Sequence, residues 1–125
     1  MRLAKGVYED VEFEGTFPGG GSKNIVTFTS ATGKRGDVML KGKSTTTALM
    51  LVDAGYLCFN ELCIGDTNTD VKTIVIKNTL TDITFRNCDL CAMPGSQNSQ
   101  AYVVFSNNTA TGKPFKQLRF KQCLI

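Results

Sequence analysis

Apolar and polar residues alternate over short stretches along the whole chain, which is the pattern of half-buried β-strands. The clearest stretches are residues 11–13, 25–28, 38–40, 49–52 and 57–59. Clusters of Gly, Asn, Asp, Ser and Pro separate them and are typical of turns. No helical period of useful length interrupts the pattern. It therefore predicts an all-β protein, and short strands alone would favour an antiparallel sandwich or barrel.

Three eight-residue segments share one pattern and change that interpretation. The segments are residues 57–64, 83–90 and 118–125. Each has apolar residues at positions 1, 3, 6 and 8, whereas a straight strand would keep a period of two. The shift from odd to even positions requires a bend at position 5, which is Glu61, Asn87 or Gln122. Asn readily adopts the left-handed conformation that a one-residue corner needs.

Repeats at intervals of 20–50 residues are typical of solenoids, in which stacked coils bury a common inner face. The segments start 26 and 35 residues apart. We therefore predict a single domain over 1–125 that forms a right-handed parallel β-helix of about four coils, each with three short strands. Two inward columns are expected, one of aromatic residues and one of Leu and Cys: Phe28, Phe59, Phe85 and Phe120, and Leu62, Cys88 and Cys123.

The same register predicts two outward columns on one sheet. They are Asn60, Arg86 and Lys121, and beside them Cys58, Thr84 and Arg119. Arginine pairs well with carboxylate and sulfate groups. We therefore predict that Asn60, Arg86, Arg119 and Lys121 form a ligand-binding face for an anionic glycan. The alternative is an ordinary solvated face.

The first half of the chain resembles a known group of β-helix proteins. The stretches that carry the resemblance are 6–13 (GVYEDVEF), 19–21 (GGG), 25–28 (IVTF), 33–34 (GK) and 38–44 (VMLKGKS). They are similar to the N-terminal coils of polysaccharide lyases of the chondroitinase B and alginate lyase group. They are equally similar to pectate-lyase-like β-helix domains of unknown function in surface proteins of Bacteroides-type bacteria.

The resemblance implies a role in binding or processing carbohydrate. In the lyases, calcium and a Lys–Arg pair act in later coils, and no position here matches them. We therefore predict a non-catalytic polysaccharide-binding module without a cofactor, with calcium expected only if lyase coils follow. Two alternatives are the N-terminal part of a lyase and a small β-sandwich carbohydrate-binding module.

Side chains for acid–base chemistry are few. The chain has no histidine, which excludes histidine-based chemistry within it. Hydrolytic β-helix enzymes use clustered carboxylates, and only Asp82 and Asp89 in the regular coils are candidates. No catalytic residue is therefore assigned, and we do not expect this chain alone to be an enzyme.

Five cysteines allow two interpretations. The spacings Cys58-x4-Cys63 and Cys88-x2-Cys91 are compatible with zinc. However, Cys88 and Cys123 align with Leu62, so we favour buried free thiols and predict no metal site. Cys58 and Cys63 are expected to face outward on different sheets, which argues against a disulfide between them.

Charge and hydropathy limit the remaining partners and the location. A net charge of +3 is too small to indicate nucleic-acid binding, and no apolar run is long enough for a membrane span. We expect an extracellular or cell-surface bacterial location, although the start has no signal peptide and a cytoplasmic location is the alternative. The chain stops at Ile125 within an apolar strand. This predicts a fragment of a longer solenoid, or end-to-end association through the last coil.

Overall fold

The structure, a computed structural model, describes residues 1–91, 102–107 and 115–124. Ile125, which ends the third repeat, lies outside the described residues. Eleven strands and one 3-10 turn at Arg35–Asp37 are assigned in these ranges. The strands are β1 (Arg2–Leu3), β2 (Gly6–Glu9), β3 (Val11–Thr16), β4 (Val26–Ser30), β5 (Val38–Lys41), β6 (Leu49–Asn60), β7 (Cys63–Ile64), β8 (Lys72–Arg86), β9 (Asp89–Leu90), β10 (Tyr102–Asn107) and β11 (Phe115–Lys121).

The fold is all-β, and every ladder between these strands is parallel. A seven-stranded sheet has the order β1-β4-β6-β8-β10, with β3 paired to β6 and β11 paired to β8. A four-stranded sheet has the order β2-β5-β7-β9. Parallel neighbours cannot be joined by tight hairpins, so each pair is linked by a longer connection. The described residues therefore do not form the antiparallel sandwich.

The predicted separation into short strands is wrong for two elements. Residues 49–52 and 57–59 were expected as separate strands, but both lie in β6. Asp53 and Tyr56 have φ values of 50° and 60°, and the register to β8 shifts between Val52 and Ala54. Pairing to β8 resumes at Ala54 and Gly55, so the bend does not end the strand. The same kind of bend lies inside β8, where Asn78 and Asp82 have positive φ.

The eight-residue repeats are confirmed. Apolar positions 1, 3, 6 and 8 of the first two repeats are at most 1% exposed. The bend residues Glu61, Asn87 and Gln122 have φ values of 57°, 53° and 55°. Their backbones also pair between the stacked repeats, which we call successive levels of the fold. Glu61 N donates to Arg86 O at 3.0 Å, and Asn87 N donates to Lys121 O at 2.9 Å. We call these three residues the sharp corner.

The predicted aromatic column is present in the core. Phe28 and Phe59 have ring centroids 5.9 Å apart, Phe59 and Phe85 are 5.1 Å apart, and Phe85 and Phe120 are 5.2 Å apart. The planes of these pairs differ by 9° to 18°, so the rings stack. The last ring is 38% exposed, whereas Phe59 and Phe85 are buried. Offset stacking of this kind adds to the stabilisation from burial.

Cysteines continue the second inward column. Cys88 is fully buried beside Leu62, and Cys123 packs against the core. The two thiols repeat one contact: Cys88 Sγ donates to Phe59 O, and Cys123 Sγ donates to Phe85 O, each at 3.4 Å. Burial raises the pKa of Cys88 to about 12. The interpretation of Cys88 as a buried free thiol is confirmed.

A network around Asp10 fixes the connection between β5 and β6. Its carboxylate accepts hydrogen bonds from Lys43 N (2.8 Å), Ser44 N (3.1 Å), Ser44 Oγ (2.6 Å) and Thr45 Oγ1 (2.9 Å). These donors hold the pKa of Asp10 well below its usual range. Sequence reasoning missed this role, because the donors lie more than thirty residues further along the chain.

Candidate functional site

The sheet that contains β4, β6, β8 and β11 carries the predicted ligand-binding residues. Asn60 lies beside Arg86, and Arg86 lies beside Lys121 in the parallel register. Asn60 Nδ2 donates to Thr29 Oγ1 at 3.0 Å, and Arg86 Nε donates to Asn60 Oδ1 at 3.1 Å. The sharp corner supports this arrangement, because Asn87 Nδ2 also donates to Asn60 Oδ1, at 3.4 Å. We call Asn60, Arg86 and Lys121 the outer ladder.

Arg119 lies in the neighbouring outward column and points away from the outer ladder. Its Nη1 lies 3.0 Å from Asp82 Oδ1, and its Nη2 donates to Gln117 Oε1 at 2.8 Å. The four predicted site residues thus share one face of the sheet. All three cations are exposed, but Arg119 is held by an ion pair with Asp82, whereas Arg86 and Lys121 form no ion pair with a described residue.

Cys58 lies in the outward column with Thr84 and Arg119, as predicted. Its side chain is nevertheless only 7% exposed. Its neighbours in register are Thr27 and Thr84, which flank this small side chain on both sides. Cys63 lies in the other sheet, as predicted, and all five cysteines are free.

A groove lies at the bends of β6, β8 and β11 that precede the outer ladder along each strand. Its volume is about 460 Å³, and it is lined by Ser22, Tyr56, Thr81, Asp82 and Gln117. Tyr56, Asp82 and Gln117 have φ values of 60°, 53° and 62°, so each occupies the left-handed region. We call these three residues the groove corner. Register places them on successive levels, because Leu57, Ile83 and Leu118 follow them and pair directly.

The glycine-rich loop between β3 and β4 supplies one wall of the groove. Gly21 and Asn24 form an antiparallel bridge, with backbone hydrogen bonds of 3.0 and 2.9 Å. Asn24 Nδ2 donates to Gly19 O at 2.5 Å, and Gly19 has a φ of 88°, which suits glycine. This tight turn presents Ser22 to the groove.

The groove was not predicted from the sequence, although the sequence contains a feature that marks its position. Tyr56, Asp82 and Gln117 each stand immediately before one of the three eight-residue repeats. Their side chains differ in chemistry, so the position does not stand out as a repeat.

The two candidate carboxylates do not form a pair. Asp82 lies in the seven-stranded sheet and binds Arg119, whereas Asp89 lies in the four-stranded sheet. Asp89 Oδ1 is 3.2 Å from Arg35 Nη1. Each carboxylate therefore has its own arginine, and the two are not arranged for acid and base roles at one bond.

The cysteine spacings do not assemble a metal site in the described ranges. There, no group of three or more His, Cys, Asp or Glu side chains is placed to hold a metal ion. Burial, with a smaller contribution from the nearby Cys91, raises the pKa of Cys63 to about 11. Such a thiol is mostly protonated near neutral pH, which disfavours metal binding. No helix in the described part of the chain has the length and apolarity needed to cross a membrane.

Comparison with family models, curated proteins and solved structures finds no match for this chain. The features of this chain that indicate a function are the geometry of the outer ladder and that of the groove.

Proposed function

We propose that this chain is a right-handed parallel β-helix that acts as a non-catalytic module of a secreted or cell-surface bacterial protein. Its role is to bind an acidic polysaccharide on the sheet face that carries the outer ladder. The resemblance to β-helix domains of polysaccharide-handling proteins supports the same class of ligand.

Strand pairing supports the proposed fold. Each strand pairs in parallel with the strand one repeat further along the chain, as in the ladder from β4 to β6 to β8 to β11. Crossovers between parallel strands of one sheet are right-handed in about 98% of cases. A chain that repeats this connection at every level forms a right-handed coil.

The observation that carries the proposed function is the outer ladder itself. Three hydrogen-bonding side chains lie on adjacent strands, which are roughly 4.8 Å apart in a sheet. Among the described residues, Arg86 uses only its Nε, toward Asn60, which leaves its two terminal nitrogens for a ligand. A guanidinium binds carboxylate or sulfate through two parallel hydrogen bonds, and Lys121 adds a second exposed cation beside it.

The non-catalytic part of the proposal is supported by the separation of Asp82 and Asp89 into two ion pairs. That the chain is the N-terminal part of a lyase stays a prediction, since no residue here matches the lyases' catalytic groups. Incubation with acidic polysaccharides distinguishes a binding module from a lyase fragment, because a lyase generates unsaturated products with a new ultraviolet absorbance.

Self-association also stays a prediction. On the last described level, Phe120 is 38% exposed and Leu124 is 61% exposed. A second copy stacked on this level would cover both. Sedimentation at increasing concentration tests this: dimers or longer assemblies are expected, and a monomer at all concentrations contradicts it.

Binding to alginate, pectate and sulfated glycosaminoglycans tests the proposed function. We expect at least one of these polysaccharides to bind. Its affinity should decrease as the salt concentration rises, because salt screens exposed charges. The variants Arg86→Ala and Lys121→Ala should each weaken binding, whereas Lys5→Ala, which removes an exposed lysine outside the outer ladder, should not. Equal loss in all three variants, or no binding of any acidic polymer, would overturn the proposal.

A further inference from the structure

We infer that the groove corner is a subsite for one uncharged, hydroxyl-rich sugar unit of the bound polysaccharide. This inference rests on the proposed function and extends it. It makes the ligand a polysaccharide that carries neutral sugars as well as acidic ones.

The dimensions of the groove suit a sugar. Its volume of about 460 Å³ lies in the range of small-molecule sites. From the loop that carries Ser22, the groove passes Tyr56 and Asp82 to Gln117, each on the next level of the sheet. Three inter-strand steps correspond to roughly 14 Å, which is enough to hold one sugar ring of the bound chain.

The lining chemistry matches a polyhydroxyl ring. Tyr56 combines an apolar ring with a hydroxyl group, and no described residue hydrogen-bonds that hydroxyl. Asp82 uses Oδ1 for Arg119, so Oδ2 can accept a hydrogen bond, and Gln117 retains its amide NH₂ as a donor. Ser22 and Thr81 add hydroxyl groups at the walls. Sugar hydroxyls both donate and accept, so they can pair with this mixed set.

The charges in the groove argue against an acidic unit there. The five lining residues include one carboxylate and no lysine or arginine. Arg119, which contacts both Asp82 and Gln117, is already paired with Asp82. An anionic sugar would therefore face an acidic side chain with no cation among the lining residues, whereas a neutral sugar meets no such repulsion.

The groove and the outer ladder are close enough to serve one ligand. Gln117 begins the segment of β11 that reaches Lys121 four residues later, a distance of roughly 13 Å along a strand. Arg119 lies between them on the same face. A polysaccharide that crosses the face can thus place a neutral unit in the groove and an acidic unit on Arg86 and Lys121.

Nuclear magnetic resonance titration of the isotope-labelled protein with neutral tetrasaccharides of glucose, mannose, galactose and xylose tests the subsite. We expect at least one of them to shift the backbone amides of Tyr56, Asp82 and Gln117. Gln117→Ala should weaken this binding about tenfold, as expected for the loss of one hydrogen bond to the sugar. The matched control is Gln122→Ala, which removes an exposed glutamine with the same backbone conformation just beyond the opposite end of the same strand.

Tyr56→Phe provides a second variant that keeps the ring and the bend while removing the hydroxyl. Its amide spectrum should match the wild type, and its affinity for the neutral sugar should fall. The subsite is overturned if no neutral tetrasaccharide binds at millimolar concentration, or if Gln117→Ala and Gln122→Ala bind equally well. Acidic polysaccharide binding that persists in either case shows that the proposed function stands while the subsite fails.

Discussion

Two corners flank the same face of the sheet, and they use one backbone conformation for different purposes. The sharp corner has φ values of 53° to 57°, and the groove corner has values of 53° to 62°. Core-packing residues follow both corners directly: the buried Leu62 and Cys88 and the half-buried Cys123 after the sharp corner, and the buried Leu57 and Ile83 and the half-buried Leu118 after the groove corner. At the groove corner, the side chains are an aromatic ring, a carboxylate and an amide, and they line an open groove.

The difference shows where this molecule keeps structure and where it can carry function. Because core residues follow both bends directly, both have to return the chain to the same place at every level. The side chains of the groove corner, which line the groove, can still change chemistry from level to level without disturbing the core. Substitutions of the core residues beside the sharp corner should therefore affect stability, and substitutions that keep the positive φ at the groove corner should affect binding.

The largest expected effect lies just before the sharp corner, at Phe85. Phe85→Ala removes a fully buried ring that stacks on Phe59 and Phe120. We expect the free energy of unfolding in urea to fall by about 3–5 kcal/mol. Phe120→Ala is the matched control, since that ring is 38% exposed and should contribute less. Equal losses would mean that the column is not a continuous core.

A smaller effect is expected at the sharp corner itself. Asn87→Val puts a β-branched residue at a φ of 53° and should lower the free energy of unfolding by about 1–2 kcal/mol. Asn87→Gly, which tolerates this conformation, should stay closer to the wild type. Thermal unfolding of both variants measures the difference. If glycine is as damaging as valine, backbone strain is not what selects Asn here.

A third prediction concerns the stability of the fold at alkaline pH, which depends on the thiol of Cys88. Burial raises the pKa of this thiol from its ordinary value of 9.0 to about 12 in the folded protein. Between these values the unfolded thiol ionises and the folded one does not, so the free energy of unfolding falls as pH rises from 9 to 12. Below pH 9 this contribution is constant. In Cys88→Ala, the free energy of unfolding measured in urea should fall less steeply as pH rises from 9 to 12. The same pH dependence in the variant and the wild type would contradict the burial of the thiol.

At the groove corner the expected change in stability is smallest. Asp82→Asn keeps a residue that accepts positive φ but removes the charge that pairs with Arg119. Both side chains are partly exposed, so the loss should be about 0–1 kcal/mol. Chemical denaturation checks this value, and a loss as large as that of Phe85→Ala would show that the two corners do not differ.

Much of the fold could be predicted from the chain because the repeats encode it directly. The shift of apolar residues from odd to even positions fixed the bends at Glu61, Asn87 and Gln122, and alignment of the repeats gave the aromatic column. The continuity of β6 was not predictable in the same way. Asp53 and Gly55 look like a turn in sequence, but hydrogen bonds to β8 continue around the bend.

The site was predictable only in part. Asn60, Arg86 and Lys121 follow from the register, since residues at one repeat position lie on adjacent strands. The ion pair of Arg119 with Asp82 and the placement of Ser22 depend on contacts across levels and on a loop with no repeat. Such contacts have no periodic signal in a single sequence.

The most direct test of the central claim is to map a bound acidic polysaccharide onto the backbone amides of the labelled protein. We predict that the shifted amides cluster at Asn60, Arg86, Arg119 and Lys121, on the face between the two corners. The four-stranded sheet, with Met39, Cys63 and Asp89, should be unaffected. Shifts that cluster on the four-stranded sheet, or no shifts with any acidic polymer, would contradict the assignment of this face as the binding surface.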